Sequence, residues 1–153
     1  MKALIVCESI HNGNTRKVAE AMAKELDAEV KRPAEVDPGR LTGYDLIGFG
    51  SGIYNGNLHQ GLLKLAREMP GPGKTAFVFS TSGAPWSMAK KHRHLKELLS
   101  AKGFRVLGDF NCKGWNTHGP EALLGGMNKG KPDAGDLENA RRFAAEMKAA
   151  CLN

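Results

Sequence analysis

Five short runs that contain apolar residues are spaced along the chain, and segments of helical periodicity separate them. The runs cover residues 3–7, 28–31, 45–51, 75–80 and 104–110. The first run, Ala-Leu-Ile-Val-Cys, is apolar without alternation, and the third run is nearly so. Uninterrupted apolar runs of this length are typical of strands that are buried on both faces of a sheet. The pattern therefore predicts five strands, the first and third of them covered on both faces.

The segments that follow four of the five strands predict helices over residues 15–26, 57–69, 87–102 and 136–150. In the first of them, Val18, Ala19 and Met22 fall on one face, whereas the charged residues fall on the opposite face. This spacing is typical of an amphipathic helix that packs against a sheet. Residues 111–132 are rich in glycine and are predicted to form a long loop. Loops of such length in compact domains are usually functional.

Strand and helix alternate along the chain, and this order predicts the fold class. Alternation of this kind gives a parallel sheet with helices on both faces and right-handed crossovers. Five strands suggest an α/β three-layer sandwich with the strand order 2-1-3-4-5. Ligands of such sheets bind outside the carboxyl ends of the strands, where the order reverses between the first and third strands. Neither a linker nor a repeat interrupts residues 1–153, which we interpret as a single domain.

The loop between the first strand and the first helix reads Ser-Ile-His-Asn-Gly-Asn-Thr over residues 9–15. A loop in this place directs several backbone N–H groups and the positive end of a helix dipole at one point, which favours phosphate binding. Short side chains that can donate to phosphate oxygens are present at Ser9, Asn12, Asn14 and Thr15. Gly13 allows a positive φ and close approach of the backbone. The alternative is an ordinary strand–helix turn with Asn14 or Thr15 as the helix N-cap.

Two further polar loops follow the third and fourth strands, and the topology places all three loops at one edge of the sheet. Residues 50–56 read Gly-Ser-Gly-Ile-Tyr-Asn-Gly, and residues 81–86 read Thr-Ser-Gly-Ala-Pro-Trp. Tyr54 and Trp86 are placed to stack on a planar ligand, or are simply surface aromatic residues. Lys113, Gly114 and Trp115 follow the fifth strand and lie near the same edge. A phosphate cradle with two flanking loops fits flavin mononucleotide (FMN), whose planar ring the second and third loops would hold.

Composition agrees with a folded domain of ordinary size. Of the 153 residues, 41% are hydrophobic and 25% are charged, as in soluble globular proteins. No apolar run approaches the ~20 residues of a membrane span, and no signal peptide is recognised, so we expect a cytoplasmic protein. The three cysteines, Cys7, Cys112 and Cys151, form no C-x-x-C pair. They are therefore expected to be structural thiols rather than metal ligands.

The net charge is +6, from 22 basic and 16 acidic residues. Such an excess fits either an acidic partner or a solvated surface with additional lysines. Nucleic-acid binding is not expected, because no basic run is interleaved with aromatic residues.

The chain lacks the residues that several other functions found on this topology require. A phosphate-accepting receiver domain needs an Asp after the third strand, where this chain has Ser51 and Gly52. A low-molecular-weight tyrosine phosphatase needs Cys and Arg closely spaced around the first loop, whereas the first arginine after Cys7 is Arg16. The G-x-G-x-x-G turn of dinucleotide-binding domains and the G-x-x-x-x-G-K-[ST] loop of P-loop NTPases are absent. Among these classes, a flavin site fits best.

At these loops the chain resembles the flavodoxin family. The resemblance rests on S-x-x-x-G-N-T after the first strand, G-S-G-I-Y-x-G after the third and S-T-S-G after the fourth, and it extends over essentially the whole chain. It implies a flavodoxin-like fold, non-covalently bound FMN and transfer of one or two electrons. By position, it implies that Ser9, Asn12, Gly13, Asn14 and Thr15 hold the phosphate, with His11 as a candidate. The residues bordering the ring would be Ser51, Gly52, Ile53, Tyr54, Thr81, Ser82 and Gly83.

Some features of the chain depart from the usual flavodoxin pattern. In these features the chain resembles enzyme-like branches of the family, such as flavodoxin-type protoporphyrinogen oxidases and quinone reductases. The first loop is longer than the usual T-x-T-G-N-T, the chain is basic rather than acidic, and residues 112–132 are unlike the usual flavodoxin ending. We interpret the chain as an FMN-binding electron-transfer protein that serves a redox partner protein or a small-molecule acceptor. The alternatives are an FMN-dependent oxidoreductase acting on a quinone or a porphyrinogen, and a non-redox binding module for an acidic partner.

No acid–base pair, nucleophile or metal-binding set stands out in the sequence. His118, His92 and His94 are candidate proton donors. Solvated surface histidines are the commoner case, and we expect that role for all of them.

Overall fold

The computed structural model describes residues 1–117 and 119–153, with the backbone alone described at Pro85. The strands are β1 (Ala3–Glu8), β2 (Glu29–Lys31), β3 (Leu46–Ser51), β4 (Ile53–Tyr54), β5 (Asn57–Leu58), β6 (Thr75–Ser82) and β7 (Arg105–Lys113). Within the described ranges, the main sheet has five parallel strands in the order β2-β1-β3-β6-β7, and β4 pairs with β5 in a separate antiparallel hairpin. Since β6 and β7 are the predicted fourth and fifth strands, the predicted order 2-1-3-4-5 is confirmed.

Helices cover both faces of this sheet. They are α1 (Asn14–Leu26), α2 (Gln60–Glu68), α3 (Met88–Ala101) and α4 (Ala134–Leu152). One apolar cluster packs α1 and α4 against one face, and a second cluster packs α2 and α3 against the other. In residues 1–117 and 119–153, none of the helices combines the length and the apolar character that a membrane span requires. The predicted three-layer α/β sandwich is therefore confirmed.

Two glycines of β3 let aromatic rings from the neighbouring strand β6 lie over them. A Cβ on Gly48 would clash with the ring of Phe77, and a Cβ on Gly50 would clash with the ring of Phe79. All six residues of β3 are buried. The unbroken burial explains why this strand reads as a continuous apolar run rather than an alternating one.

The helix predicted over residues 57–69 is shorter than expected, because its first residues belong to the hairpin of β4 and β5. Asn55 and Gly56 form the hairpin turn with φ values of 50° and 76°. Two positive φ values in succession are what a two-residue turn of type I′ requires, and Asn-Gly is its preferred sequence. The helix α2 therefore starts at Gln60, after His59 has capped it by accepting a hydrogen bond from Gly61 N–H at 3.0 Å.

The glycine-rich segment predicted as a loop over residues 111–132 has more order than expected. The strand β7 continues to Lys113, because its last residues pair with the end of β6. A short 3-10 helix follows at Pro120–Leu124, and Asn116 forms an antiparallel bridge with Met127. The segment thus returns to the carboxyl end of the sheet before α4 begins.

Helix α4 begins at a charged capping box. Asp133 accepts a hydrogen bond from Asp136 N–H, Asp136 accepts one from Asp133 N–H, and Lys131 bridges both carboxylates. The hydrogen bond from Lys131 and the Asp136 N–H lower the pKa of Asp133 to about 2. A lowered pKa means that this carboxylate stabilises the fold above the unfolded value of 3.8 and that the contribution is lost as the pH falls toward 2.

We therefore expect Asp133→Asn, which keeps the capping oxygen but not the charge, to unfold at a slightly lower temperature than the wild type at pH 6. The difference should shrink as the pH falls from 4 toward 2, and thermal unfolding followed by circular dichroism measures it. Glu138→Gln, an exposed change in the same helix, is the control. A difference that stays constant with pH would assign the effect to something other than the carboxylate charge.

Candidate functional site

A pocket lies at the carboxyl ends of the strands, between the loop before α1, the β4–β5 hairpin, the residues after β6 and the residues after β7. Its volume is about 330 Å³, within the range of roughly 300–1,000 Å³ that is usual for small-molecule pockets. The lining includes most of the residues expected at the cofactor site: His11, Asn12, Asn14, Thr15, Gly52, Ile53, Tyr54, Thr81, Ser82, Gly83, Gly114 and Trp115. The structure thus brings the three polar loops together.

The helix α1 begins without a capping side chain. Gly13 precedes it with a φ of 64°, and Asn12 has a φ of 54°; glycine and asparagine tolerate this left-handed conformation best. Asn14 and Thr15 lie inside the first helical turn, so the alternative in which one of them is the N-cap is wrong. The first backbone N–H groups of α1 therefore remain suited to an anion at the positive end of the helix dipole.

The amides of Asn12 and Asn14 hold the first loop against the segment after β7. Both donate to the carbonyl oxygen of Trp115, at 2.9 and 2.7 Å. Gly114 permits this approach, because a Cβ there would lie 2.8 Å from Asn14 Nδ2. A phosphate in this loop would therefore rely first on backbone N–H groups, while the two amides fix the shape of the loop.

Tyr54 joins the hairpin to the first loop. Its hydroxyl accepts a hydrogen bond from Ile10 N–H at 2.8 Å, and its ring lies 5.7 Å from the ring of His11, centroid to centroid. Gly52 leaves room for this arrangement, since a Cβ there would lie 3.0 Å from the Tyr54 hydroxyl. Burial raises the pKa of Tyr54, against the opposing effect of the Ile10 N–H. The side chain therefore stays neutral at physiological pH.

A buried pair of hydroxyl groups connects α1 to β6 in the pocket wall. Thr15 Oγ1 and Thr81 Oγ1 lie 2.8 Å apart, and both residues are buried. Each hydroxyl carries one proton, so one proton serves the pair and the other can be donated elsewhere. An acceptor in the pocket, such as a phosphate oxygen, can take that second hydrogen bond.

Two buried polar atoms of the pocket residues have no hydrogen-bond partner in the part of the chain that the structure describes. They are the hydroxyl of Ser82, a residue that is 7% exposed, and Oδ1 of Asn14. An unpaired buried polar group costs roughly 1–3 kcal/mol, so such groups normally have partners. A flavin carries carbonyl and N–H groups along its ring edge and hydroxyl groups on its side chain. The residues present therefore fit this cofactor.

Five residues predicted for the cofactor site do not line the pocket, namely Ser9, Gly13, Ser51, Trp86 and Lys113. The hydroxyl of Ser51 is buried and accepts a hydrogen bond from His59 N–H at 2.8 Å, which holds the end of the hairpin. Trp86 is 80% exposed in a short turn before α3. Contact of these residues with a ligand stays a prediction.

Gly56 and Ala84, which belong to the two predicted ring loops, also line the pocket, and so do residues that the sequence did not reveal: Ser87, Met88, Lys91, Asn116 and Met127. Ser87, Met88 and Lys91 lie at the start of α3, and a helix that follows the third polar loop must begin at the same edge of the sheet. That connection was readable from the sequence. Asn116 and Met127 reach the pocket through the bridge between them, which no local pattern indicates.

The expectation that His92 is a solvated surface residue is wrong. His92 is 1% exposed and lies between Ser80 on β6 and Asp109 on β7, each within 2.7 Å of one ring nitrogen. His94 is exposed, as expected, and His118 lies outside the described residues. The prediction failed because the neighbours of His92 along the chain are charged, whereas its contacts come from distant strands.

Two of the three thiols are buried, which agrees with a structural role. Burial raises the pKa of Cys7 to about 12 and the pKa of Cys112 to about 12. At these pKa values the reactive thiolate is scarce at neutral pH. Neither thiol is therefore suited to nucleophilic chemistry.

The fold and the pocket define a protein of the flavodoxin-like class. Over residues 4–108 the chain matches a family model described as a flavodoxin domain. An uncharacterized protein from Methanocaldococcus jannaschii is 44% identical over 144 residues, which cover 94% of this chain and 96% of that protein. The chain therefore belongs to the flavodoxin domain family.

Solved structures agree with this fold. A flavodoxin from the domain Archaea is 20% identical, with 100% of both chains covered and a TM-score of 0.73. The oxidised flavodoxin 2 from Bacillus cereus is 20% identical, with 98% of this chain and 99% of that chain covered and a TM-score of 0.75. Proteins of the family bind a flavin, usually FMN, and pass electrons to redox partners.

Proposed function

We propose that this chain binds FMN non-covalently in the pocket and acts as an electron-transfer protein. The observation that supports the proposal is the convergence of an uncapped helix start with two polar loops that leave the hydroxyl of Ser82 unpaired. The helix start suits the phosphate of the cofactor, and unpaired polar atoms suit its polar edges. Among the described residues, the structure offers no second place where these features coincide.

In this proposal the bound flavin supplies the redox chemistry, and the protein binds and orients it. Backbone N–H groups at residues 11–15 hold the phosphate, and the Thr15 hydroxyl adds one hydrogen bond. Residues 51–54 and 81–83 border the ring, with Tyr54 and Trp86 as the stacking aromatic residues. Because the redox centre lies at the loop edge of the sheet, a redox partner protein or a small-molecule acceptor would approach there. We propose that the chain works as a single domain in the cytoplasm.

Reconstitution with flavin tests this proposal directly. Purified protein, stripped of any bound flavin, is titrated with FMN and with riboflavin, and binding is followed by flavin absorbance and fluorescence. We expect tighter binding of FMN, because only FMN carries the phosphate that the start of α1 can hold. If neither flavin binds, the chain is better described as a non-redox module for an acidic partner.

Turnover separates the two redox functions. An electron-transfer protein should accept electrons from a chemical reductant but should not oxidise NADH or NADPH, or reduce a quinone, at a useful rate by itself. Sustained turnover of a quinone or a porphyrinogen by the FMN-loaded protein alone would instead identify an FMN-dependent oxidoreductase.

The proposed contact between Trp86 and the flavin gives a separate prediction. Trp86→Leu is expected to weaken FMN binding by roughly two- to tenfold, since aromatic stacking contributes about 0.5–1.5 kcal/mol beyond buried area. The emission of bound FMN should also increase, because a stacked indole quenches it. Leu123→Ala, which removes another highly exposed apolar side chain, is the control. Unchanged affinity and emission in Trp86→Leu would place this side chain away from the ring.

A further inference from the structure

A hydrogen-bonded chain of polar side chains is buried between α3 and the sheet. Asn111 Nδ2 donates to Ser80 Oγ at 2.7 Å, and Ser80 Oγ lies 2.7 Å from His92 Nε2. His92 Nδ1 lies 2.7 Å from Asp109 Oδ2, and Lys96 Nζ donates to the other oxygen of Asp109 at 2.6 Å. Ser80 and His92 are buried, whereas the side chains of Asp109 and Lys96 are about one-third exposed. The chain therefore runs from solvent into the protein.

The order serine, histidine, aspartate matches that of a hydrolase triad, but the burial argues against hydrolysis. A nucleophilic serine must reach a substrate carbonyl. Ser80 has no exposed surface, and Asn111 also donates to its main-chain oxygen at 3.2 Å. No acyl substrate can approach this hydroxyl without unfolding the strand. The network must act within the protein.

The hydrogen bonds are consistent with a neutral His92. Ionised Asp109 can only accept, so Nδ1 of His92 carries a proton and donates it to the carboxylate. Asn111 Nδ2 donates to Ser80, which leaves the proton of Ser80 to point at the unprotonated Nε2 of His92. Each hydrogen bond along the chain then joins one donor to one acceptor.

A second arrangement accommodates one more proton. If Nε2 of His92 is protonated, it donates to Ser80 Oγ, and the serine proton needs a new acceptor. Oδ1 of Asn111 is buried and has no partner among the described residues. Rotation of this amide would bring Oδ1 to the serine hydroxyl. Protonation thus requires two local rotations and no movement of the backbone.

The network lies directly behind the pocket wall. Met88 and Lys91 of α3 and Ser82 of β6 line the pocket. His92 lies one helical turn after Met88, and Ser80 lies two residues before Ser82 on the same strand. The charges that face His92 are Asp109 on β7 and Lys96 on α3, with Lys91 beside it on the same helix. β6 contributes only the neutral Ser80, and the buried residues of α2 in the same cluster are apolar.

We propose that His92 takes up a proton when the flavin in the pocket is reduced. This inference rests on the proposed function. In a two-electron reduction by a chemical reductant or a redox partner, two electrons and one proton enter the flavin, which gains one negative charge. A second proton is taken up from solvent at Nε2 of His92, the ring nitrogen that carries no proton beforehand, and stays there while the serine proton turns to Asn111 Oδ1. The positive charge on His92, behind the pocket wall, then balances the negative charge that the flavin has gained. His92 acts on the flavin through its charge and does not touch it.

The pH dependence of the two-electron midpoint potential tests this inference. Uptake of two protons makes the potential fall twice as steeply with pH as uptake of one proton. We expect the steeper slope for the wild-type protein and about half that slope for His92→Gln, whose amide can bond to Ser80 and Asp109 but cannot hold the proton. His94→Gln, an exposed histidine on the same helix, should keep the wild-type slope. A merely structural role of His92 would change stability but not the slope.

A second measurement needs no variant. The ring signals of His92 are followed by NMR in the FMN-loaded protein before and after reduction at constant pH, and we expect them to change from the neutral to the protonated form. Equal slopes for wild type and His92→Gln, or ring signals that stay neutral on reduction, would overturn the inference while leaving FMN binding intact. Failure to bind FMN at all would instead overturn the proposed function, so the two failures are distinguishable.

Discussion

Thr15→Val is expected to weaken FMN binding by roughly ten- to a hundredfold and to leave riboflavin binding nearly unchanged. Thr15 lies in the first turn of α1 and lines the pocket, and its pairing with Thr81 leaves one hydroxyl proton for an acceptor. A hydrogen bond to a charged group contributes about 1.5–3 kcal/mol, and riboflavin has no phosphate to receive it. Titration of the flavin-free protein with both flavins gives the two dissociation constants.

Thr81 provides the matched control, because Thr81→Val breaks the same hydroxyl pair from the other side. This variant should change the affinities for FMN and riboflavin by similar factors, while Thr15→Ser, which keeps the hydroxyl, should retain most of the preference for FMN. An equal loss for both flavins in Thr15→Val would show that its hydroxyl does not reach the phosphate. The selectivity between the flavins, and not the absolute affinity, therefore decides the role of Thr15.

The sheet and the first loop could be predicted because their signals are local. The first and third strands are buried on both faces, which makes them continuous apolar runs, and strand–helix alternation then leaves few topologies. Gly13 at the start of α1 was recognised as a site of positive φ, and the structure gives it a φ of 64°. The positions of the three polar loops followed from the topology alone.

The hairpin was missed although the sequence contained its signal. Asn55-Gly56 is the preferred pair for a type I′ turn, but the neighbouring glycines favoured an interpretation as one continuous loop. The apolar positions at Leu58, Leu62 and Leu65 then extended the predicted helix backwards over β5, because leucine suits either element. Turn chemistry should have outweighed hydrophobic spacing at this point.

The other predictions that failed concern side chains whose contacts come from distant parts of the chain. The amides of Asn12 and Asn14 were expected to face a phosphate, whereas both donate to Trp115 more than one hundred residues later. His92 was expected in solvent because charged residues surround it in the sequence, whereas its partners come from β6 and β7. No periodicity encodes which strand residue a helix side chain will meet. Such contacts become visible only when the tertiary structure is known.

Lys91→Gln is expected to lower the midpoint potential for the second electron of bound FMN. Lys91 is half-buried and lines the pocket, whereas Lys90, Arg93 and Lys113 are exposed and do not line it. A positive charge stabilises the negative charge that the reduced flavin gains. For a charge within about 8 Å, the interaction is roughly 0.5–1.5 kcal/mol, which corresponds to about 20–60 mV for one electron.

A spectroscopic redox titration at low and high salt measures this effect, with Lys90→Gln as the matched control. The two variants lose the same net charge, so a contribution from the overall charge of +6 would lower both potentials equally. A local contribution would lower the potential in Lys91→Gln alone and would be only partly screened by salt, because Lys91 lies at the pocket wall.

We also expect the wild-type potential for the second electron to exceed that of acidic flavodoxins, which would make the protein a poorer low-potential donor and a better two-electron carrier. A very low potential that responds neither to salt nor to Lys91→Gln would mean that these charges do not reach the flavin, and it would favour the ordinary one-electron role of a flavodoxin.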